Sequence, residues 1–444
     1  MEIDNILSSL EGVRLFTGMS VPADYLHDES GAVGCPDAAV EALCTEDVAR
    51  VMRLCHANGV PVTVRGAGTG KAGGSVAVNG GVVLSLKGMN KILGFDEAAS
   101  TLTVQPGVLL QDVKAGAAGH GLNYPPDPGE QTATIGGNAS TNASGPCAAK
   151  YGATRDYVVD ATIVLADGSV VKLADNPEYA AVPGSEGTLG VITELTLKLV
   201  KRPAKDVILL LPFMDSESCI KAALKLREYA PAAAEYLDTD IVEFSGKVTG
   251  NPVFPVMMDG ERTGATLMLQ LEGEDDDALD VQMESVAELA EELECLDILV
   301  VDTPNLKRDV WAAHDAFHTS METAKSEGEI NVTVPAEAVS ELVEYAKGLA
   351  GGGMAVMAYS HVLSGGVHLH AVSELAKEEF APKFEEFASM VYGKCASLGG
   401  DTAGEYGVGY VKKSSLSEER RAAFKAAKAA LDPKGILNPG KVAD

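Results

Sequence analysis

Residues 61–74 read PVTVRGAGTGKAGG, and residues 125–145 read PPDPGEQTATIGGNASTNASG. Each is a glycine-rich loop that follows an extended run. A diphosphate held by main-chain N–H donors needs the backbone to come close. Only residues without bulky side chains allow that approach, and glycine also reaches positive φ. Glycines serve ordinary tight turns too, and a lone glycine-rich match is a weak signal. Two such loops about sixty residues apart are far more specific, because together they can clasp one diphosphate from two sides. A dinucleotide-binding Rossmann fingerprint does not fit, since its glycines open a helix. Here the first loop runs into GGSVAVNGG (residues 73–81), which has no helical pattern.

Outward from the first loop, residues 45–58 predict a helix, with Thr45 as N-cap, Glu46 and Asp47 in its first turn and Gly59 at its end. A strand over Val60–Val64 feeds the RGAGTG run, and Val82–Leu86 is a second strand. Leu93–Phe95 and Thr101–Val104 pair around DEAAS, a short helix covers 109–118, and Tyr157–Leu165 pairs with Ser169–Leu173 across ADG. Val191–Leu199 is a further strand. After Pro203 the pattern becomes strand, helix, strand, with strands at Val207–Leu211, Ala265–Leu271 and Leu296–Val301. Helices are expected at 216–229, 276–294, 304–325, 336–349, 375–398 and 415–431. That alternation predicts an α+β fold of split βαβ layers, with helices on one face of an antiparallel sheet. Residues 272–294 carry eleven acids, which read as a solvated helix face.

The 444 residues carry a formal charge of −29. Such a surface repels nucleic-acid phosphates and anionic lipid headgroups, so neither is an expected partner. It argues for solubility more than for an acidic docking face. The seven cysteines include no C-x-x-C pair, which argues against an iron–sulfur cluster or a zinc knuckle in the chain. No run reaches the length of a transmembrane segment, and the acidic start MEIDNILSSLEGVRLF lacks the form of a signal peptide. A cytoplasmic protein is the expectation.

The motifs together resemble the FAD-linked oxidases of the vanillyl-alcohol-oxidase superfamily, in the branch of D-lactate, glycolate and D-2-hydroxyglutarate dehydrogenases. The resemblance rests on VRGAGTG (64–70), PPDP (125–128), TATIGGNASTNASG (132–145), KYGATRDYV (150–158), EGTLGVITE (186–194) and LDPKGILNPGK (431–441), and covers almost the whole chain. It implies a PCMH-type, two-lobed FAD-binding domain over 1–203 and a ferredoxin-like α+β cap over 204–410. A tail over 411–444 should return to the first domain. It further implies that Arg65, Gly66, Ala67, Gly68, Thr69, Gly70, Gly74 and Ser75 belong to the pyrophosphate loop. Pro126, Asp127, Thr132, Thr134, Ile135, Gly136, Gly137 and Ser140 should line the isoalloxazine and ribityl side. Gly187 and Ile192 should lie by the adenosine half, and Asn438 should return from the C-terminus. Relatives with covalent FAD carry the linking histidine in the first loop. None stands there, so FAD should be non-covalent.

The catalytic half departs from the family pattern. Where relatives carry a segment resembling GH-x-GDGN-x-H, this chain reads SHVLSGGVHLH (360–370), and the later GEHG segment is GEYG (404–407). His361, His368 and Glu405 keep the implied ligand positions for Zn2+ or another divalent metal, and two imidazoles with a carboxylate suit such an ion. The plainer alternative is that the two histidines only flank a hairpin, with His370 sharing the strand parity of His368. Tyr406 replaces the family's base, and either serves as a weaker one or only lines the site. An arginine past the family's tryptophan becomes His314, and a lysine ahead of a segment ending in proline becomes Glu329. Losing both cations weakens the grip on a carboxylate.

The candidate catalytic set is therefore Tyr406, His361, His368 and His314. Three readings are open. The first is an FAD-dependent 2-hydroxy-acid dehydrogenase passing hydride to flavin N5. The second is a related flavoenzyme for a neutral or cationic alcohol or hydroxy acid. The third is a flavin-binding electron-relay subunit with a decayed substrate site. The small-molecule substrate apart, the expected partner is an electron acceptor: an electron-transferring flavoprotein, an iron–sulfur subunit or a quinone.

Overall fold

The computed structural model describes residues 3–444. The chain divides into two compact units. One comprises residues up to Ser144, Ala153–Arg202 and Glu405–Asp444; the other comprises Gly145–Gly152 and Pro203–Gly404. The break after Arg202 stands where the sequence changes character. Two details differ from the sequence expectation. The return to the first unit begins at Glu405 rather than 411, and residues 145–152 belong with the second unit. The physical reasons are local. The Glu186 carboxylate accepts the N–H groups of Val408 and Gly409 at 2.8 and 2.7 Å, which binds the return segment early. Lys150 and Tyr151 both bond Glu272, which holds the short excursion in the second unit.

The N-terminal unit has two sheets. In the first, Arg14–Thr17, Ala38–Glu41, Val82–Ser85 and Val62–Arg65 lie in that order, the last three parallel. The helix Thr45–Asn58 buries Val48, Val51, Met52 and Cys55 in one core with Val40, Val62, Val82 and Leu84 of the strands. Gly59, at φ +64°, ends it. Its N-cap is Cys44 rather than Thr45, and the Asp47 carboxylate takes the Leu43 N–H at 3.0 Å. The second sheet is antiparallel, with the order Ile92–Asp96, Thr101–Val104, Val191–Lys198, Val158–Val164, Val170–Lys172. Both expected hairpins are in it.

The second unit is built on a seven-stranded antiparallel sheet. Its order is Leu299–Val301, Lys205–Phe213, Ala265–Gly273, Ala233–Asp238, Met354–His361, Gly366–Ser373, Ser326–Thr333. Helices Ser216–Leu226, Asp276–Glu292, Val339–Gly348 and Lys377–Ser397 cover one face, against Leu209, Leu211, Leu267, Val332, Ala358 and Leu369. The expectation of helices on one face only needs correction. Thr239–Thr249 and Pro304–Met321 pack on the other face, through Ile241, Val242, Val310 and Phe317 against Ile208, Leu210 and Met268. The strand Lys205–Phe213, second in that order, is accordingly apolar on both sides, the pattern of a doubly covered strand. Ala233–Asp238 and Thr239–Thr249 were not foreseen. The strand is six fully buried residues that include Glu235 and Asp238, so polar letters hide it.

Across the second face the character changes. At the Leu299–Val301 side it is aliphatic. Towards the Ser326–Thr333 edge it carries Tyr359, His361, His368, His370, Glu235, Glu327, Glu329 and Asn331, with His314 and His318 contributed by the Pro304–Met321 helix. Strand alternation puts these polar residues on one side while their neighbours Ile330, Val332, Leu369 and Ala371 enter the opposite core.

Candidate active site

In the N-terminal unit the first loop leaves the Val62–Arg65 strand as a series of bends. Among the described residues, the N–H groups of Gly66, Ala67, Gly68, Thr69 and Gly70 donate to no protein acceptor. Five successive main-chain donors without a protein partner form a concavity suited to an anion. Gly68 sits at φ +85°, and a Cβ there would lie 2.0 Å from the Arg65 guanidinium. Arg65 itself is turned under the loop: Nη1 donates to the His27 carbonyl at 2.8 Å and lies 3.3 Å from Ser75 Oγ, which bonds Asp28 at 3.2 Å. Its role is therefore to brace the loop.

The two loops meet. A Cβ on Gly66 would come within 2.2 Å of Thr134 Oγ1, and Gly137 stands 3.2 Å from the same hydroxyl by the same measure. The second loop continues into a helix, Ile135–Thr141, that the sequence reading did not foresee. Ser140 Oγ donates back to the Gly136 carbonyl at 2.7 Å, and a Cβ on Gly136 would meet Pro106 at 2.5 Å. Asp127 pairs with Lys114 and accepts from Gln131 at 2.7 Å, while Thr132 bonds Glu130 at 2.5 Å; these two close the loop on itself. Pro126 is buried beside it.

Asn438 holds the first loop from behind. Its Oδ1 accepts the Val64 N–H at 2.9 Å, and its Nδ2 donates to the carbonyls of Glu186 at 2.7 Å and Gly74 at 3.3 Å. Gly187, at φ +71°, leaves room for that amide; its Cβ would lie 2.9 Å from Asn438 Nδ2. Ile192 is buried in the second sheet opposite Ile163. Glu186 and Lys441 were missed by the sequence reading, although both stand inside quoted motifs. Burial pushes the Glu186 carboxyl up and drives the Lys441 ammonium down to about 7, although Asp28 and Glu186 pull the lysine the other way.

The return segment carries Glu405 and Tyr406. Tyr410 N–H donates to the Ala72 carbonyl at 2.7 Å, so the segment is bolted to the end of the first loop. Ser144, closing the second loop, donates to Glu405 at 3.0 Å. The ammonium groups of Lys71 and Lys412 lie 5.3 and 5.5 Å from the Tyr406 ring centroid, within cation–π range.

In the second unit, His361 ends its strand opposite Glu235, with Nδ1 2.5 Å from Glu235 Oε2. His368 Nδ1 lies 3.1 Å from Glu329 Oε1, and its ring stacks on Tyr359 at 4.2 Å. The two imidazoles stand edge to face at 5.3 Å. His361 thus has Nδ1 fixed by a carboxylate, the arrangement that orients a histidine to use Nε2 on a metal or a substrate, whereas His368 is held by Glu329 at Nδ1 and has the Asn331 amide nitrogen 3.1 Å from its Nε2. His314 is fully engaged, with Nε2 3.1 Å from Glu235 and Nδ1 3.3 Å from Asp315. Burial alone would lower its pKa, but Asp315 and Glu235 overcome this and raise it. Burial likewise opposes ionisation of Glu235, and His361 and His314 reverse it, leaving that carboxyl below its ordinary range.

A glycine-lined nest of free main-chain donors beside a second glycine loop, and a separate sheet bearing oriented histidines, define a flavin-dependent oxidoreductase. The family comparisons give the same class. Residues 36–174 match the FAD binding domain, and residues 202–442 match the FAD linked oxidases, C-terminal domain. The chain belongs to the FAD-linked oxidases and is an FAD-dependent oxidoreductase of the kind that oxidises hydroxy acids at CH–OH. It is 38% identical to a D-lactate dehydrogenase of Anaerostipes hadrus over 97% of this chain and 94% of that one. It is 32% identical to the glycolate oxidase subunit GlcD of Bacillus subtilis (92% and 89% covered) and 32% identical to a D-lactate dehydrogenase of Archaeoglobus fulgidus (95% and 96% covered). A solved alkyldihydroxyacetonephosphate synthase shares the fold at TM-score 0.78 and 19% identity, covering 99% of this chain and 84% of that one. Among the described residues no helix is long and apolar enough to cross a membrane.

Proposed function

We propose that the protein oxidises a small D-2-hydroxy acid of the lactate or glycolate type to the 2-oxo acid, with FAD held non-covalently on the first loop. The observation that carries the reading is the Glu235–His361 pair, an imidazole oriented by a buried carboxylate at 2.5 Å. FAD would supply the acceptor for the hydride, which carries both electrons of the oxidation. The N–H groups of Gly66 to Gly70 would hold its diphosphate, and Arg65, Asn438 and Glu186 keep the loop in shape. His361 takes the hydroxyl proton at Nε2, with Glu235 holding Nδ1 and stabilising the charge that forms. His314, with both ring nitrogens on carboxylates, is a positioning residue.

A cationic substrate would need Glu329 as its partner. The relatives named D-lactate dehydrogenase and glycolate oxidase subunit favour the hydroxy-acid reading over it. Electrons leave to an electron-transferring flavoprotein, an iron–sulfur subunit or a quinone, and the acidic chain with seven free thiols suits a cytoplasmic setting.

The test is anaerobic reduction of the purified yellow protein, followed near ~450 nm, with D- and L-lactate, glycolate, D-2-hydroxyglutarate and simple alcohols. Bleaching by a D-2-hydroxy acid is expected. Bleaching by dithionite alone would move the protein to the electron-relay class.

A further inference from the structure

We infer that the second unit carries a further divalent-metal site, formed by His318, Glu329 and His370, distinct from the His361–His368 pair. The three residues come from the Pro304–Met321 helix and from two adjacent strands, where Glu329 stands directly opposite His370. Their ligand atoms all lie within 4.8 Å of one another. His318 Nδ1 is 3.0 Å from Glu329 Oε2, and His370 Nε2 is 4.0 Å from Glu329 Oε1.

Three observations converge on a cation. His370 is fully buried, and its Nε2 has no hydrogen-bond partner although it points towards Glu329. A buried ring nitrogen is costly to leave unpaired. Each imidazole also has its remote nitrogen on a different carboxylate: His370 Nδ1 lies 3.1 Å from Glu327, and His318 Nε2 lies 3.0 Å from Glu322. Carboxylate-backed histidines of this kind are the usual outer shell of a metal centre. Finally, three carboxylates, Glu322, Glu327 and Glu329, stand around the two imidazoles, a charge environment that favours a divalent ion. Two imidazoles and one carboxylate suit Zn2+, Co2+ or a similar ion, and leave at least one coordination position open.

The site also has a use, which rests on the hydroxy-acid reading. The polar residues on this sheet face are acids, imidazoles and neutral groups, and the nearby Lys307 and Arg308 are paired with Asp206 and Asp309. A metal ion would supply the positive charge that a substrate carboxylate requires, and would take it at the open position.

The experiment uses FAD-loaded protein stripped with a chelator and titrated with Co2+ alone, reading bound equivalents by elemental analysis and by visible ligand-field absorption. His318→Ala, at a partly exposed helix position, should lose one equivalent that His361→Ala retains; His370→Asn should match His318→Ala, with flavin content as the folding control. Equal Co2+ uptake by wild type and both variants would overturn the site. With the site filled, His318→Ala should raise KM for D-lactate at least tenfold with a smaller change in kcat. If the equivalent is lost and KM is unmoved, the carboxylate role falls. If Co2+ binds as expected and no hydroxy acid reduces the flavin, the proposed function falls and the site stands.

Discussion

The two units use opposite means to hold their ligands. In the N-terminal unit the first loop offers main-chain N–H groups, and side chains such as Asn438, Glu186 and Arg65 are turned inward to shape the backbone. In the second unit the backbone is spent on the sheet, and side chains on one face form the candidate site. A backbone site requires glycine and tight turns in continuous stretches. A side-chain site requires only correct strand parity, and its residues come from positions as distant as 235 and 370. The first should therefore be fragile to small volume changes in the loop, and the second to loss of single functional groups.

The largest effect is expected at Gly68. Valine there would combine a strained positive φ of +85° with a Cβ 2.0 Å from Arg65. The two costs together correspond to FAD binding weakened about 100-fold or more. The ratio of flavin to protein absorbance reads it. Retention of full flavin would mean that the loop is not built by its backbone. Next, His361→Ala should slow anaerobic flavin reduction about 10²–10⁴-fold and leave the flavin content unchanged. Simultaneous loss of flavin would break the division of labour between the units.

That division also explains what was legible in the sequence. The glycine loops, the hairpins and the change of pattern at Pro203 are local, and local chemistry reads directly. The loop over Gly66 to Gly70 stood out because a glycine-rich backbone allows a close approach, and family resemblance then assigned its residues to the pyrophosphate. Glu186 and Lys441 were missed because their roles arise from burial beneath the loop, which a linear motif does not display. In the second unit His361 and His368 were visible through family resemblance. Glu235 was invisible, since a lone acid in an apolar run announces neither a strand nor a partner for His361. His370 showed its parity with His368, but not its facing Glu329, because strand order is a long-range property.

Glu235→Gln sharpens the comparison further. It removes the charge that holds His314 and His361 while keeping the volume, and breaking such a buried pair costs about 3 kcal/mol. Denaturant unfolding of the variant reads it. The pH dependence has two limbs. The depressed carboxyl of Glu235 contributes stability above its unfolded value of 4.5, lost as pH falls through the folded one. The raised His314 contributes below its unfolded value of 6.5, lost as pH rises through the folded one. The wild type should thus have a plateau between those values, and Glu235→Gln should lose its acid limb while Asp315 keeps part of the His314 limb. A variant with the same plateau would assign it elsewhere.

The smallest effect tests whether a side-chain charge matters in the backbone-led unit. Lys441 is 1% exposed, and burial lowers its pKa from 10.5 to about 7. Between those values the unfolded chain binds a proton that the folded chain does not, so stability rises with pH there. Relative to Lys441→Met, the wild type should gain about 2 kcal/mol from pH 7.5 to 9.5, read by urea unfolding of both proteins. The thiols of Cys55, Cys219 and Cys295, raised by burial, lose stability over the same interval in both proteins and cancel in the difference. An unchanged difference across the interval would show that the ammonium beneath the loop is neutralised by Asp28 and Glu186 rather than by losing its proton.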